Sequence, residues 1–146
     1  MTQRITIKDE YANELMSYEV PPGKEGLAEA NLEGVELCGA ILKDTNLRGA
    51  DLYWAILFMA DLSGANLENA ILCGADLKKA RLIGANLKNA NLGLDNLHGS
   101  TQLEGAILSD ANVDGARFEG ATYDDATEFP SGFDPAAMGM VKVNAS

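Results

Sequence analysis

Long apolar runs are missing from this chain of 146 residues. No stretch reaches the roughly 18 consecutive apolar residues of a membrane span. The opening MTQRITIKDEYANELMSYEV holds no apolar run long enough for a secretory leader. Neither membrane insertion nor export is expected. Cysteine is scarce: Cys38 and Cys73 are too few for a disulfide framework, which makes a reducing, cytoplasmic location the default. Histidine occurs once, as His98, and no HExxH, CxxC pair, GxSxG or GxxxxGK(S/T) string occurs. Metal, cofactor and catalytic residues are therefore not expected, and the chain reads as a non-enzyme. Positive charge is also short, with 11 Lys and Arg against 22 Asp and Glu, a net charge of -11 and a pI near 4.3. That balance repels nucleic acid and anionic membranes, so direct binding to either is not expected. Aromatics are only 6% of the residues, so small and aliphatic side chains must do the packing.

What is present is a period of five. From Glu25 the chain reads EGLAE, ANLEG, VELCG, AILKD, TNLRG, ADLYW, AILFM and so on to DNLHG; Ser100 then intervenes, and TQLEG, AILSD, ANVDG, ARFEG and ATYDD follow. Of these twenty units, seventeen carry Leu at the third position and fifteen carry Ala at the first. Neither regular element accommodates this. In an α-helix five residues advance by about 500°, so successive leucines drift round the axis. In a flat strand five residues reverse the face. The leucines share one core only if the chain turns by about a quarter-circle per unit, so that four units close a square coil and coils stack. The fifth position agrees: it is Gly in ten units and Asn or Asp in five, residues that tolerate the positive φ of tight corners. Ala at the first position is the small residue that fits beside Leu inside the coil. Positions two, four and five face out.

The recurring A(D/N)LXX pattern over Glu25 to Asp125 resembles that of the pentapeptide-repeat family. The resemblance implies an all-β fold, a right-handed quadrilateral parallel β-helix of about five coils. Residues 24–126 are assigned to this solenoid, 1–23 to an N-terminal cap segment and 127–146 to a C-terminal tail. A solenoid exposes an apolar cross-section at each end and needs covering there. Tyr11, Leu15 and Tyr18 have helical spacing, Thr6 and Asp9 form a weak capping box, and Val20-Pro21-Pro22-Gly23 is a stop, so a short helical cap is expected over Lys8 to Tyr18. A partner-binding helix is the other reading. The tail, with Phe129, Phe133, Met138 and Met140, resembles the tails of many cyanobacterial members. It covers the last coil or forms a homodimer contact there. Asp95 stands where Ala is usual, and bonding to backbone amides at a distorted corner accounts for it more simply than a functional carboxylate does. Cys38, Cys73 and His98 occupy outward fourth positions, and the two cysteines lie too far apart to bond.

One cluster has no role in the repeat. In ADLYWAILFMADLSG, Leu52 and Leu57 belong to the core, which leaves Tyr53, Trp54, Ile56, Phe58 and Met59 facing out round one corner. Either the N-terminal segment covers them, or they form a surface for a partner or for self-association. The charge is uneven: both ends are acidic, while Lys78, Lys79, Arg81 and Lys88 make the middle neutral. Some family members protect DNA gyrase by imitating a DNA duplex, which requires an unbroken anionic stripe. Stacking every fourth unit places Leu32, Leu52, Leu72, Leu92 and Val113 on one face, and Leu37, Leu57, Leu77, Leu97 and Phe118 on the next. Neither face shows such a stripe, and no long loop interrupts the coils. The expected function is a non-catalytic protein-interaction scaffold with an unidentified protein partner, as a monomer or a homodimer. Mimicry of DNA toward an enzyme such as gyrase is the alternative.

Overall fold

A computed structural model describes residues 2–144. From residue 31 to residue 128 the chain winds as a stack of coils held by parallel bridges. Asn31 pairs with Asp51, Asp51 with Ile71 and Ile71 with Asn91, a step of one coil each time. The other faces repeat this through Glu36, Ile56 and Asp76, through Ile41, Asp61 and Arg81, and through Asn46, Asn66 and Asn86. Each bridge is a single short contact, because the chain bends again before a longer strand can form. Alternate backbone bonds run up and down the stack: Asp51 N–H donates to Ala30 C=O and Leu52 N–H to Ile71 C=O. A turn bond such as Ala55 N–H to Leu52 C=O closes each corner.

The inside is leucine and alanine. Every third-position Leu except Leu97 is buried, as is every first-position Ala. The fifth position has left-handed geometry at glycines and equally at Asp44, Asn69, Asn89 and Asp110. Position two has a role that its outward direction concealed. The Oδ1 atoms of Asp51, Asp61, Asn66, Asp76, Asn86 and Asn91 each accept the backbone N–H two residues on, at 3.0–3.1 Å. This short side-chain turn satisfies an amide that the corner would leave unpaired.

Two features depart from the sequence reading. Among its described residues the N-terminal segment holds no helix. It is an antiparallel hairpin, β1 (Gln3–Lys8) with β2 (Glu14–Val20), carrying a bulge between Ile7 and Lys8. β1 alternates, with Ile5 and Ile7 turned to one face, and buries Ile7, while Val20 closes β2. The turn is built by Asp9, whose Oδ1 accepts the Tyr11 and Asn13 amides and whose Oδ2 accepts Asn13 Nδ2, with Ala12 at φ 64°. Of the pair read as a capping box, Asp9 builds this turn and Thr6 lies in β1, paired with Ser17. The hairpin lies on the first coil: Ile41 N–H donates to Lys8 C=O, and Ile5, Leu15, Met16 and Tyr18 pack on the core beside Val35.

The second departure is a loop. Asp76 pairs with Gln102, so the six residues 95–100 leave the coil entirely. Leu97, placed in the core by its position in the repeat, is 77% exposed. Above the loop the faces are therefore re-sorted: Asn91 stacks on Arg117, which brings Phe118 rather than Val113 over Leu92, and Leu103 rather than Leu97 over Leu77. Thr101 anchors the return. It is fully buried, its Oγ1 lies 2.9 Å from Leu72 C=O, and it accepts Gly74 N–H at 3.1 Å. At the far end the tail returns as β4 (Val141–Lys142), parallel to β3 (Thr122–Tyr123). Met140 is buried, and Phe129 stacks on Phe133, which meets Phe118 edge-on across the end of the core.

Candidate interaction site

The aromatic-rich corner does not form one patch; the structure divides it in two. Tyr53 and Trp54 meet edge-on with ring centroids 4.6 Å apart, and the 95–100 loop fastens both. Trp54 Nε1 donates to Asp95 Oδ2 at 2.7 Å, and Tyr53 Oη lies 3.0 Å from Asn96 Oδ1 and also accepts the Asn96 amide. Asp95 holds the loop as well, accepting the Leu97 and Gly99 amides at 2.8 and 2.6 Å. The Trp54 bond and these amides keep its carboxyl below the usual aspartate range. Gly74, one coil on, leaves the room that the Trp54 ring occupies: a Cβ there would lie 2.6 Å from Trp54 Cδ1. Asp95 thus bonds backbone amides, as its place in the sequence suggested, and it bonds the tryptophan too. His98 is exposed on the same loop.

Phe58 and Met59 point the other way, into a groove of about 720 Å³ between the hairpin turn and the rod. Ile41, Cys38 and Gly39 continue its floor, Tyr11 overhangs it, and Lys79 and Arg81 stand at its lower end. Ile56 is half-buried between the two halves of the corner. Tyr11, Ile41 and Met59 are 78%, 45% and 56% exposed, so three of the most exposed large apolar residues gather at one site. The hairpin walls this half of the corner without covering it. Sequence reasoning offered Tyr11, with Met16 and Tyr18, as a residue of the N-terminal segment that would cover the cluster, and it missed Ile41; the signal available was Ile in place of Asp or Asn at position two.

The backbone marks the same place. Trp54, Met59 and Lys79 have φ of 61°, 59° and 59° at corners where most units use Gly, Asn or Asp, and outside this region only Glu29 does the same at a fifth position with a long side chain. A left-handed residue with a long side chain costs about 1–2 kcal/mol each. Such outliers cluster where a side chain serves something other than the fold.

The basic residues of the middle coils separate. Lys78 lies 3.8 Å from Asp76, Lys88 is on another face, and Lys79 and Arg81 form no ion pair among the described residues. Three of the four stacked position-two columns mix charge, polarity and apolar groups, as in Asn31, Asp51, Ile71, Asn91 and Arg117, or Glu36, Ile56, Asp76, Gln102 and Thr122, and the fourth, Asn46, Asn66, Asn86 and Asn112, is uncharged throughout. Both cysteines are free; Cys38 is exposed, as its outward position implied, whereas Cys73 is buried, contrary to expectation. Cys73 Sγ turns toward Asn91 C=O at 3.8 Å, against the segment leading into the loop, and burial raises its pKa.

Comparison with known proteins agrees with this architecture. The family model for pentapeptide repeats matches in eight copies, over residues 27–57, 60–93 and 96–122. The chain is similar to the pentapeptide-repeat protein Rfr23 of the cyanobacterium Cyanothece 51142, at 36% identity over 76% of this chain and 71% of that one, with a TM-score of 0.64. HetL of Nostoc sp. strain PCC 7120, a protein involved in the regulation of heterocyst differentiation, is 30% identical over 81% of this chain and 54% of its own, with a TM-score of 0.45. A pentapeptide-repeat protein of the Arabidopsis thaliana thylakoid lumen is 33% identical over 68% and 66%, with a TM-score of 0.37. No curated protein matches.

Proposed function

The chain belongs to the pentapeptide-repeat family, whose fold is the right-handed β-helix, and on that premise we propose that it is a non-catalytic protein-interaction scaffold that engages its partner at the Phe58–Met59 half of the aromatic-rich corner. One observation carries the reading. In a rod whose position-two columns are largely polar, the groove gathers exposed Tyr11, Ile41 and Met59, the last of them at a left-handed corner. An apolar floor with a charged rim is the composition of an interaction surface. The other half of the corner, Tyr53 and Trp54, is occupied by the chain's own loop and serves to hold that loop in place. The unpaired thiols suit a cytoplasmic setting, which fractionation of the native cells tests.

The test is a matched capture from native extract with the wild-type chain and an Ile41→Lys/Met59→Lys variant. Both side chains are exposed, so the variant should fold with an unchanged melting curve. A partner retained by the wild type and lost by the variant is the expected result. A partner held equally by both would refute the assignment.

A further inference from the structure

The groove is polarised along the rod. Its residues fall in order of coils: Tyr11 above the first coil, then Cys38, Gly39 and Ile41, then Phe58, Met59 and Asp61, then Lys79 and Arg81. Five charged groups line it, and they are not equally free. Asp9 spends both carboxylate oxygens on its own turn. Asp61 accepts the Ser63 amide and lies under the influence of both Arg81 and Lys43. Glu10 remains at the hairpin lip, and Lys79 and Arg81 remain at the opposite end, exposed and outside every ion pair among the described residues. In a chain of net charge -11, two exposed cations at the end of an apolar groove, Lys79 and an Arg81 that also faces Asp61 one coil above, are a local reversal of sign. Met59 and Lys79 stack directly, Met59 N–H donating to Lys78 C=O, and both keep long side chains at left-handed corners where the same column has Gly39 and Gly105.

We propose that this groove binds an acidic peptide segment of a partner protein, with one large apolar side chain seated among Tyr11, Ile41, Phe58 and Met59 and a carboxylate two or three residues away held by Lys79 and Arg81. The proposal rests on the scaffold reading above and specifies its partner. The spacing follows from the stack. Successive coils lie about 4.8 Å apart, so the floor of coils one and two is about 5–10 Å from the cations of coil three, and an extended peptide covers about 3.3 Å per residue. Glu10 repels acid at the upper lip, which sets the direction: the acidic end of the segment points away from the hairpin. Binding of this kind combines an apolar anchor with screened charge attraction, so it weakens as salt rises.

The experiment pans a random-heptamer display library against the full chain, then measures the selected peptides, fluorescein-labelled, by anisotropy. The expected consensus is Leu, Phe, Trp or Met with Asp or Glu two or three positions away. Lys79→Glu/Arg81→Glu should weaken binding at least about tenfold. Lys79→Ala/Arg81→Ala should weaken it several-fold and guards against a local disturbance from a new carboxylate beside Asp61. Selected peptides without acid, an unchanged Kd in both charge variants, or no enrichment over background would each overturn the proposal. Peptides lost on Ile41→Lys/Met59→Lys but indifferent to Lys79 and Arg81 would overturn it while leaving the scaffold reading intact. Peptides indifferent to all four positions would count against both.

Discussion

Two glycines at equivalent corners separate backbone strain from steric displacement. Gly84 has φ +67° and nothing within 4 Å of where a Cβ would stand. Gly84→Ala therefore meets only the left-handed penalty, about 1–2 kcal/mol. Gly74 has φ +71° and suffers the same strain, but its Cβ would lie 2.6 Å from Trp54 Cδ1 and 2.8 Å from Asp95 Oδ2. Trp54 is 38% exposed, so its ring has room to move outward, away from a Gly74 Cβ. Lifting about a third of an aromatic side chain, on the order of 70 Å², into water forfeits about 1.5–2 kcal/mol. Gly74→Ala should thus cost about 3 kcal/mol, roughly twice Gly84→Ala, before any loss from the freed loop. Urea denaturation gives both values. Trp54 is the only tryptophan, so its emission reads the displacement directly and should shift to the red in Gly74→Ala alone. Equal costs with unchanged emission would show that the ring does not depend on the space Gly74 leaves.

Leu67, fully buried in the third coil, should lose about 2–5 kcal/mol on conversion to Ala, whereas Leu97→Ala, on the loop, should lose less than about 0.5; thermal melts that ranked them equally would contradict the looped-out assignment. Cys38 should react with a thiol reagent in the native state and Cys73 only on unfolding, and mass spectrometry of the labelled protein counts the sites. The Asp95 carboxyl titrates below its unfolded value, so what it contributes to holding the loop is present above that value and is lost as pH falls through the folded one. Trp54 emission should therefore change on acidification below about pH 4, and an Asp95→Asn variant should remove that transition; a pH profile shared by both proteins would refute the link.

The period of five was legible because each unit repeats one local geometry, and the core that follows from it, Leu27 to Leu92 beside the alanines, is the one observed. The hairpin was misread because Tyr11, Leu15 and Tyr18 carry helical spacing by coincidence: Tyr11 belongs to a turn, and Leu15 and Tyr18 to a strand. The alternation of Ile5 and Ile7 was the better signal. The loop was hidden for a different reason. DNLHG fits the repeat as well as its neighbours do, and Ser100 looks like a single insertion. Which residues stay in the coil is decided by contacts distant in sequence: Thr101 reaching Leu72 and Gly74, and Asp95 reaching Trp54. No local pattern encodes those. The aromatic corner was visible as a cluster, but its division between a loop on one side and a groove on the other depends on the same distant partners.

The returning tail bears on how such a rod stays finite. A stack of coils with parallel backbone bonds is a cross-β template, and an open end can recruit another molecule as readily as it recruits its own next turn. Here the tail takes up those bonds: Gly120 N–H donates to Gly139 C=O, Val141 N–H to Ala121 C=O and Val143 N–H to Tyr123 C=O. β4 is only two residues long, and one of them is Lys142, paired with Asp125 at 2.6 Å. A short edge bearing a lysine is a poor seed for further strands. The segment 139–143 thus acts as a chain terminator in the polymer sense, occupying the bonds through which a molecule built like a slice of fibre would grow.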